Sequence, residues 1–169
     1  MPGVSEANKG MASRRVAIAI GSNLGDRRAA IEFAFHRLAA FVSNLTFSDV
    51  IETNPEGEGG EGQPLYLNAV AVGDTALGAR ECLDALLGIE RDYGRERPYR
   101  GAPRTLDLDL ILLGDEIVQA PGLEVPHPRF RERFFVLGPL IEVAPQLVDP
   151  VTGLKVRELL RNLMRDQTR

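Results

Sequence analysis

The chain has 169 residues, 44% hydrophobic and 26% charged, with a formal net charge of −4. Its one cysteine, Cys82, excludes an internal disulfide and any cysteine-built zinc cluster, and no run approaches the roughly 20 apolar residues of a membrane span. The acidic balance argues against a general nucleic-acid binder, and the length suits one domain with a real core.

Residues 1–14 are small, polar and charged without an apolar centre, which is not the pattern of a secretory signal. They are expected to form a disordered leader, with Met11 as an alternative start, ahead of a single domain over 15–169 in a cytoplasmic protein. Arg15 to Ile20 reads as a first strand that ends in Gly21-Ser22-Asn23-Leu24-Gly25-Asp26, a loop of turn formers and helix-capping types. From Arg27 to Phe41, the residues Ile31, Ala34, Phe35 and Leu38 recur at helical spacing, with His36 off the stripe and therefore exposed.

Thr46 to Glu52 predicts a second strand, followed by Thr53-Asn54-Pro55 and a Gly- and Glu-rich loop over 56–63. Tyr66 to Val72 predicts a third strand, hairpin-like with the second, with Tyr66 and Asn68 on one face. Ala76 to Tyr93 is an amphipathic helix whose stripe of Leu83, Leu86 and Leu87 continues to Glu90, and Cys82 among its apolar residues reads as core filler. Glu90 either emerges solvated at the helix end or faces the same cleft as the arginines that follow it.

The most informative stretch runs from Gly94 to Asp109. Arg95, Arg97, Arg100 and Arg104 precede Thr105-Leu106-Asp107-Leu108-Asp109-Leu110-Ile111-Leu112, whose alternation predicts a strand. Asp107 and Asp109 then share one face, roughly 6–7 Å apart from a rise of about 3.3 Å per residue, while Leu106, Leu108 and Leu110 fill the other. Two carboxylates at that separation can hold one or two divalent cations, and arginines offer phosphate a planar two-donor fork. Residues 91–104 hold five arginines against two acids and 129–133 three against one, local positive charge that suits a small anion. A metal–polyphosphate site is the reading from spacing alone. It leaves open a phosphotransferase or a nucleotidyltransferase. A non-catalytic module binding nucleotide or RNA is opposed by the net charge and by the lack of aromatics among the arginines.

Glu124 to Pro128 is extended, Phe134 to Val143 and Val156 to Met164 read as helices, and no internal repeat is present. Interleaved strands and helices with short connections predict an α+β sandwich, helices packed on a largely antiparallel sheet.

Four segments together resemble the 6-hydroxymethyl-7,8-dihydropterin pyrophosphokinase family. They are Ala19-Ile20-Gly21-Ser22-Asn23-Leu24-Gly25, Tyr66-Leu67-Asn68-Ala69-Val70, Pro103-Arg104-Thr105-Leu106-Asp107-Leu108-Asp109 and Val125-Pro126-His127-Pro128-Arg129, the last followed by Arg133 and Phe135. The resemblance implies a ferredoxin-like monomer that transfers pyrophosphate from ATP to the pterin hydroxymethyl group and releases AMP in folate biosynthesis. It implies two magnesium ions on Asp107 and Asp109, with Arg95 and Arg104 acting on the phosphates. ATP contacts are implied for Arg95, Arg97, Arg104, Leu110, His127 and Arg133, with Arg100 as the alternative to Arg97. Gly21, Thr53, Pro55, Tyr66, Asn68 and Phe135 match pterin-binding positions, Tyr66 and Phe135 as the stacking pair, and Glu90 matches a cleft position. His127, between two prolines, is alternatively a rigid-turn residue. The chain departs from the family in lacking a tryptophan ahead of the Ala102-Pro103-Arg104 turn and in the acidic insert that begins at Glu56.

Overall fold

The computed structural model describes residues 12–55, 62, 64–94 and 105–167. Strands β1 (Arg14–Ser22), β2 (Ser43–Phe47), β3 (Ile51–Thr53), β4 (Tyr66–Thr75) and β5 (Asp107–Leu113) form one sheet. Its order is β2-β4-β1-β5, with β3 also on β4, and every pairing is antiparallel. Helices α1 (Arg27–Leu38) and α2 (Ala79–Asp92) lie between strands, and α3 (Phe134–Val143) and α4 (Val156–Gln167) follow a small hairpin of β6 (Val118–Ala120) and β7 (Leu123–Val125). The order strand-helix-strand-strand-helix-strand, with the first and third strands central, is the ferredoxin-like arrangement.

Both faces of the sheet are covered, which is why β1 and β4 are apolar on both sides. On one face Val16, Ile18 and Ile20 pack with Ile31, Ala34 and Leu38 of α1 and Cys82, Leu86 and Ile89 of α2. On the other, Ala17, Val70 and Val72 pack with Val136, Leu137 and Leu140 of α3 and Val156 and Leu159 of α4. Burial pushes the Cys82 thiol up to about 11, as expected of inert core filler.

Several predicted elements shift. The first helix stops at Leu38 rather than Phe41; it begins where the Asp26 carboxylate accepts the Ala29 N–H at 3.1 Å. The second strand, predicted over Thr46 to Glu52, is two pieces, because Ser48 interrupts the ladder. Its hydroxyl accepts the Val70 N–H at 2.8 Å, and the Asp49 N–H goes to the Glu142 carboxylate of α3. The β2–β3 unit therefore pairs with β4 around a kink.

The α2 helix begins at Ala79, after the Gly78 N–H meets the Glu81 carboxylate at 3.1 Å. Its buried stripe is Cys82, Leu86, Ile89 and Glu90, and Leu87, expected on that stripe, is exposed. His36 is exposed, as its position off the stripe predicts, and α3 spans the predicted residues. No helix among the described residues is long and apolar enough to cross a membrane.

Candidate active site

The register of three neighbouring strands builds the site. Gly21 of β1 lies opposite Asn68 of β4 on one side and Asp107 of β5 on the other. In the next row, Ala19 lies between Val70 and Asp109. Directly opposed residues in antiparallel strands project to the same face, and Val70 belongs to the α3–α4 side. Asn68, Gly21, Asp107 and Asp109 therefore share that face, with Asn68 and Asp107 about 10 Å apart across two strand spacings of about 4.8 Å. The alternation expected of Asp107 and Asp109 holds: both are partly exposed, while Leu106, Leu108 and Leu110 are buried.

Position 21 is crowded. A Cβ there would come 3.0 Å from Asn68 Oδ1 and 3.5 Å from the Tyr66 ring. The Asn68 amide is fixed from behind, its Nδ2 donating to Thr53 Oγ1 at 2.6 Å, and Thr53 itself pairs with Tyr66. Thr53, Tyr66, Asn68 and Gly21 form one contiguous group at the end of β1, next to Pro55 at the exit of β3. The Asn23 side chain donates to the Pro64 carbonyl at 3.3 Å and Arg27 to the Leu65 carbonyl at 2.8 Å, which anchors the approach to Tyr66.

A β-bulge in β5 delivers the other wall. Ala17 pairs with Leu112 and Ile18 with Leu110, so Ile111 is the extra residue and turns into the α3–α4 core. The Ile111 carbonyl accepts the His127 N–H at 2.9 Å, which ties the segment after β7 to the middle of β5. His127 Nδ1 accepts the Arg129 N–H at 3.1 Å, so the neutral ring carries its proton on Nε2. His127 is thus a turn-holding residue through its Nδ1. A single 3-10 turn, Phe130–Glu132, leads to Arg133, whose guanidinium lies 5.5 Å from the Phe135 ring centroid. Phe135 packs against the α3–α4 core.

Of the two alternatives for Glu90 the structure excludes the solvated one, and it narrows the Leu110 position. Glu90 is not solvated at the helix end. It is 2% exposed, and its Oε2 accepts the Leu108 N–H at 2.7 Å from the edge of β5 that β1 does not pair. Because α2 covers the sheet face opposite Asp107 and Asp109, Glu90 supports their strand from behind. The Leu110 side chain is 5% exposed within the α1–α2 core, so any nucleotide contact at that position is left to its backbone. Arg95, Arg97, Arg100, Arg104 and most of the acidic loop lie outside the described residues.

The sequence reading missed three groups. Thr105 Oγ1, two residues ahead of Asp107, is buried without a hydrogen-bond partner among the described residues. Arg131 and Asp149 form a two-point ion pair beneath the His127–Arg133 segment. The arginines at every second position from 129 to 133 were a signal for this element, but nothing local points to Asp149.

The family model for 7,8-dihydro-6-hydroxymethylpterin-pyrophosphokinase matches residues 17–145. The chain belongs to that family. It is thereby a kinase-type transferase, one of the pyrophosphokinases of folate synthesis.

Among similar proteins, a 2-amino-4-hydroxy-6-hydroxymethyldihydropteridine pyrophosphokinase of Pseudomonas aeruginosa is 42% identical over 154 residues, covering 87% of this chain and 90% of the relative. The Bacillus subtilis pyrophosphokinase of the same description is 41% identical over 139 residues, covering 80% and 81%. The crystal structure of wild-type Plasmodium falciparum HPPK-DHPS aligns over 92% of this chain with a TM-score of 0.67 at 13% identity, a likeness of fold alone. This chain spans 46% of that longer one.

Proposed function

We propose that this pyrophosphokinase transfers the pyrophosphoryl group of ATP to the hydroxymethyl group of 6-hydroxymethyl-7,8-dihydropterin and releases AMP, in a magnesium-dependent reaction. The observation that carries the reading is the row Asn68–Gly21–Asp107. It sets an amide suited to reading a heterocycle edge and a carboxylate suited to cations on one face, about two strand spacings apart.

Magnesium fits the residues present. Asp107 and Asp109 supply two oxygen ligands on one face, and no group of three or more His, Cys, Asp or Glu residues able to hold a metal ion occurs among the described residues. Magnesium is characteristically bound by one or two carboxylates, with water and phosphate oxygens completing its shell. When bound, two such ions neutralise charge on the phosphates and orient the groups being transferred.

The chain's own residues then position the reactants. Tyr66 and Phe135 hold the pterin between flat apolar surfaces, and Asn68, steadied by Thr53, reads its ring edge. Gly21 supplies a floor without a side chain, and Pro55 borders it. His127 offers Nε2–H, and Arg133 its guanidinium, to the phosphate side. Arg95 and Arg104, with Arg97 or Arg100, complete the phosphate clamp. Transfer of this kind depends on alignment and charge neutralisation more than on covalent participation by the protein. The reading makes the chain a cytoplasmic monomer.

The test is incubation with ATP, magnesium and the pterin, with identification of the nucleotide product. AMP formed only in the presence of pterin and magnesium is the expected outcome. Pterin-independent ADP or pyrophosphate would assign the aspartates to another phosphotransferase reaction.

A further inference from the structure

The Arg131–Asp149 pair lies outside the residues assigned so far, yet it carries the segment that holds two of them. Arg131 Nε donates to Asp149 Oδ2 at 2.6 Å, and the second guanidinium nitrogen donates to Oδ1 at 2.9 Å. The carboxylate is fully buried, and its remaining positions are taken by the Val151 N–H at 3.1 Å and the Thr152 hydroxyl at 2.7 Å. The guanidinium also lies 4.7 Å from the centroid of Phe130, a fully buried ring of the α3–α4 core. Arg131 is therefore held by a two-point ion pair and by an aromatic face.

Burial of a charged pair seldom gains stability over an apolar pair of equal volume, because desolvation offsets the attraction. What a bidentate pair supplies is a fixed orientation. That orientation passes directly to the site. Within the same turn, the Arg133 N–H donates to the Phe130 carbonyl at 3.2 Å and the Glu132 N–H to the Arg129 carbonyl at 3.0 Å. The Arg129 N–H closes on His127 Nδ1. His127 and Arg133 thus stand at the two ends of a hydrogen-bonded segment in which Arg131 is clamped to the turn ahead of α4.

We propose that Arg131 and Asp149 are positioning residues for nucleotide binding: their ion pair sets where His127 and Arg133 present their donors to the phosphates of ATP. The proposal rests on the pyrophosphokinase reading and deepens it. The pterin side of the site, built on β1, β3 and β4, does not hang from this pair.

The experiment compares the full chain with Arg131→Lys, which keeps the charge and the stem but gives up the fork, and with Asp149→Asn. It measures the KM of each substrate, kcat, the melting temperature, and the affinity for a non-hydrolysable ATP analogue with magnesium. Displaced donors make weaker hydrogen bonds to the charged phosphates, so the KM for ATP and the analogue Kd are expected to rise by about tenfold. The KM for pterin and kcat are expected to stay within about twofold, since the remaining groups are untouched. Unchanged nucleotide affinity in a folded variant would overturn the proposal, as would equal rises in both KM values following a fall in melting temperature; either makes the pair a staple of the fold. If Asp149→Asn does not accumulate as folded protein, Arg131→Lys decides alone. Analogue binding is read without turnover, so a wild-type chain that fails to use the pterin would sink the functional reading while the pair is still judged by nucleotide affinity.

Discussion

The carboxylate of Glu90 accepts the amide N–H of Leu108, the residue between Asp107 and Asp109, at 2.7 Å. A buried acid on a helix thereby satisfies an edge-strand donor that would otherwise lack a sheet partner. It also ties the spacing of the two aspartates to the position of α2. Glu90→Ala, which leaves that donor unsatisfied, is expected to cost about 1–3 kcal/mol and to lower turnover through the displaced strand. Thermal melting together with kcat checks this; a variant of unchanged melting temperature would show that the bond does not hold the strand.

Asp109→Ala removes one of the two same-face carboxylates without touching the core. Magnesium-dependent turnover is expected to fall by on the order of 10³ or more, because several kcal/mol of charge stabilisation is lost. The far-ultraviolet circular dichroism should match the parent. Near-normal activity would mean that the cations sit elsewhere.

Gly21→Ala places a methyl carbon 3.0 Å from Asn68 Oδ1, so the amide must move away from the position that Thr53 fixes. The expected effect is a rise of about tenfold in the KM for pterin, with the KM for ATP unchanged, as for loss of contacts to one substrate. Steady-state kinetics with each substrate varied in turn reads the split. A rise confined to ATP would place the pterin away from this row.

Asp149 gives the chain an acid-sensitive contact. Burial alone raises its pKa, but hydrogen bonds from Arg131, Thr152 and the Val151 N–H outweigh it and hold the carboxyl below the ordinary aspartate value. The unfolded chain then binds the proton more readily than the folded one, so stability from this group is present above the ordinary value of about 3.9 and is lost as pH falls through the folded value. Melting temperatures measured from pH 6 downward should fall, and Asp149→Asn should flatten the acid limb while starting from lower stability. An unaltered acid limb in that variant would assign the loss to other carboxylates.

The residue string by itself determined the local periods. Alternation placed Asp107 and Asp109 on one face and Leu106, Leu108 and Leu110 on the other, and the apolar run Phe134 to Val143 marked α3 to the residue. Such patterns report which side of an element is buried, because each is set by residues one to four positions apart. They do not report which element lies alongside. Strand pairing brought residues 21, 68 and 107 into one row, and the Ser48 hydroxyl, by taking the Val70 N–H, divided a predicted strand in two. The Ile111 bulge, the Glu90–Leu108 bond and the Arg131–Asp149 pair likewise join segments distant in the chain. Their partners were decided by tertiary packing, where a buried donor, acceptor or charge must find whichever complement the fold brings within reach.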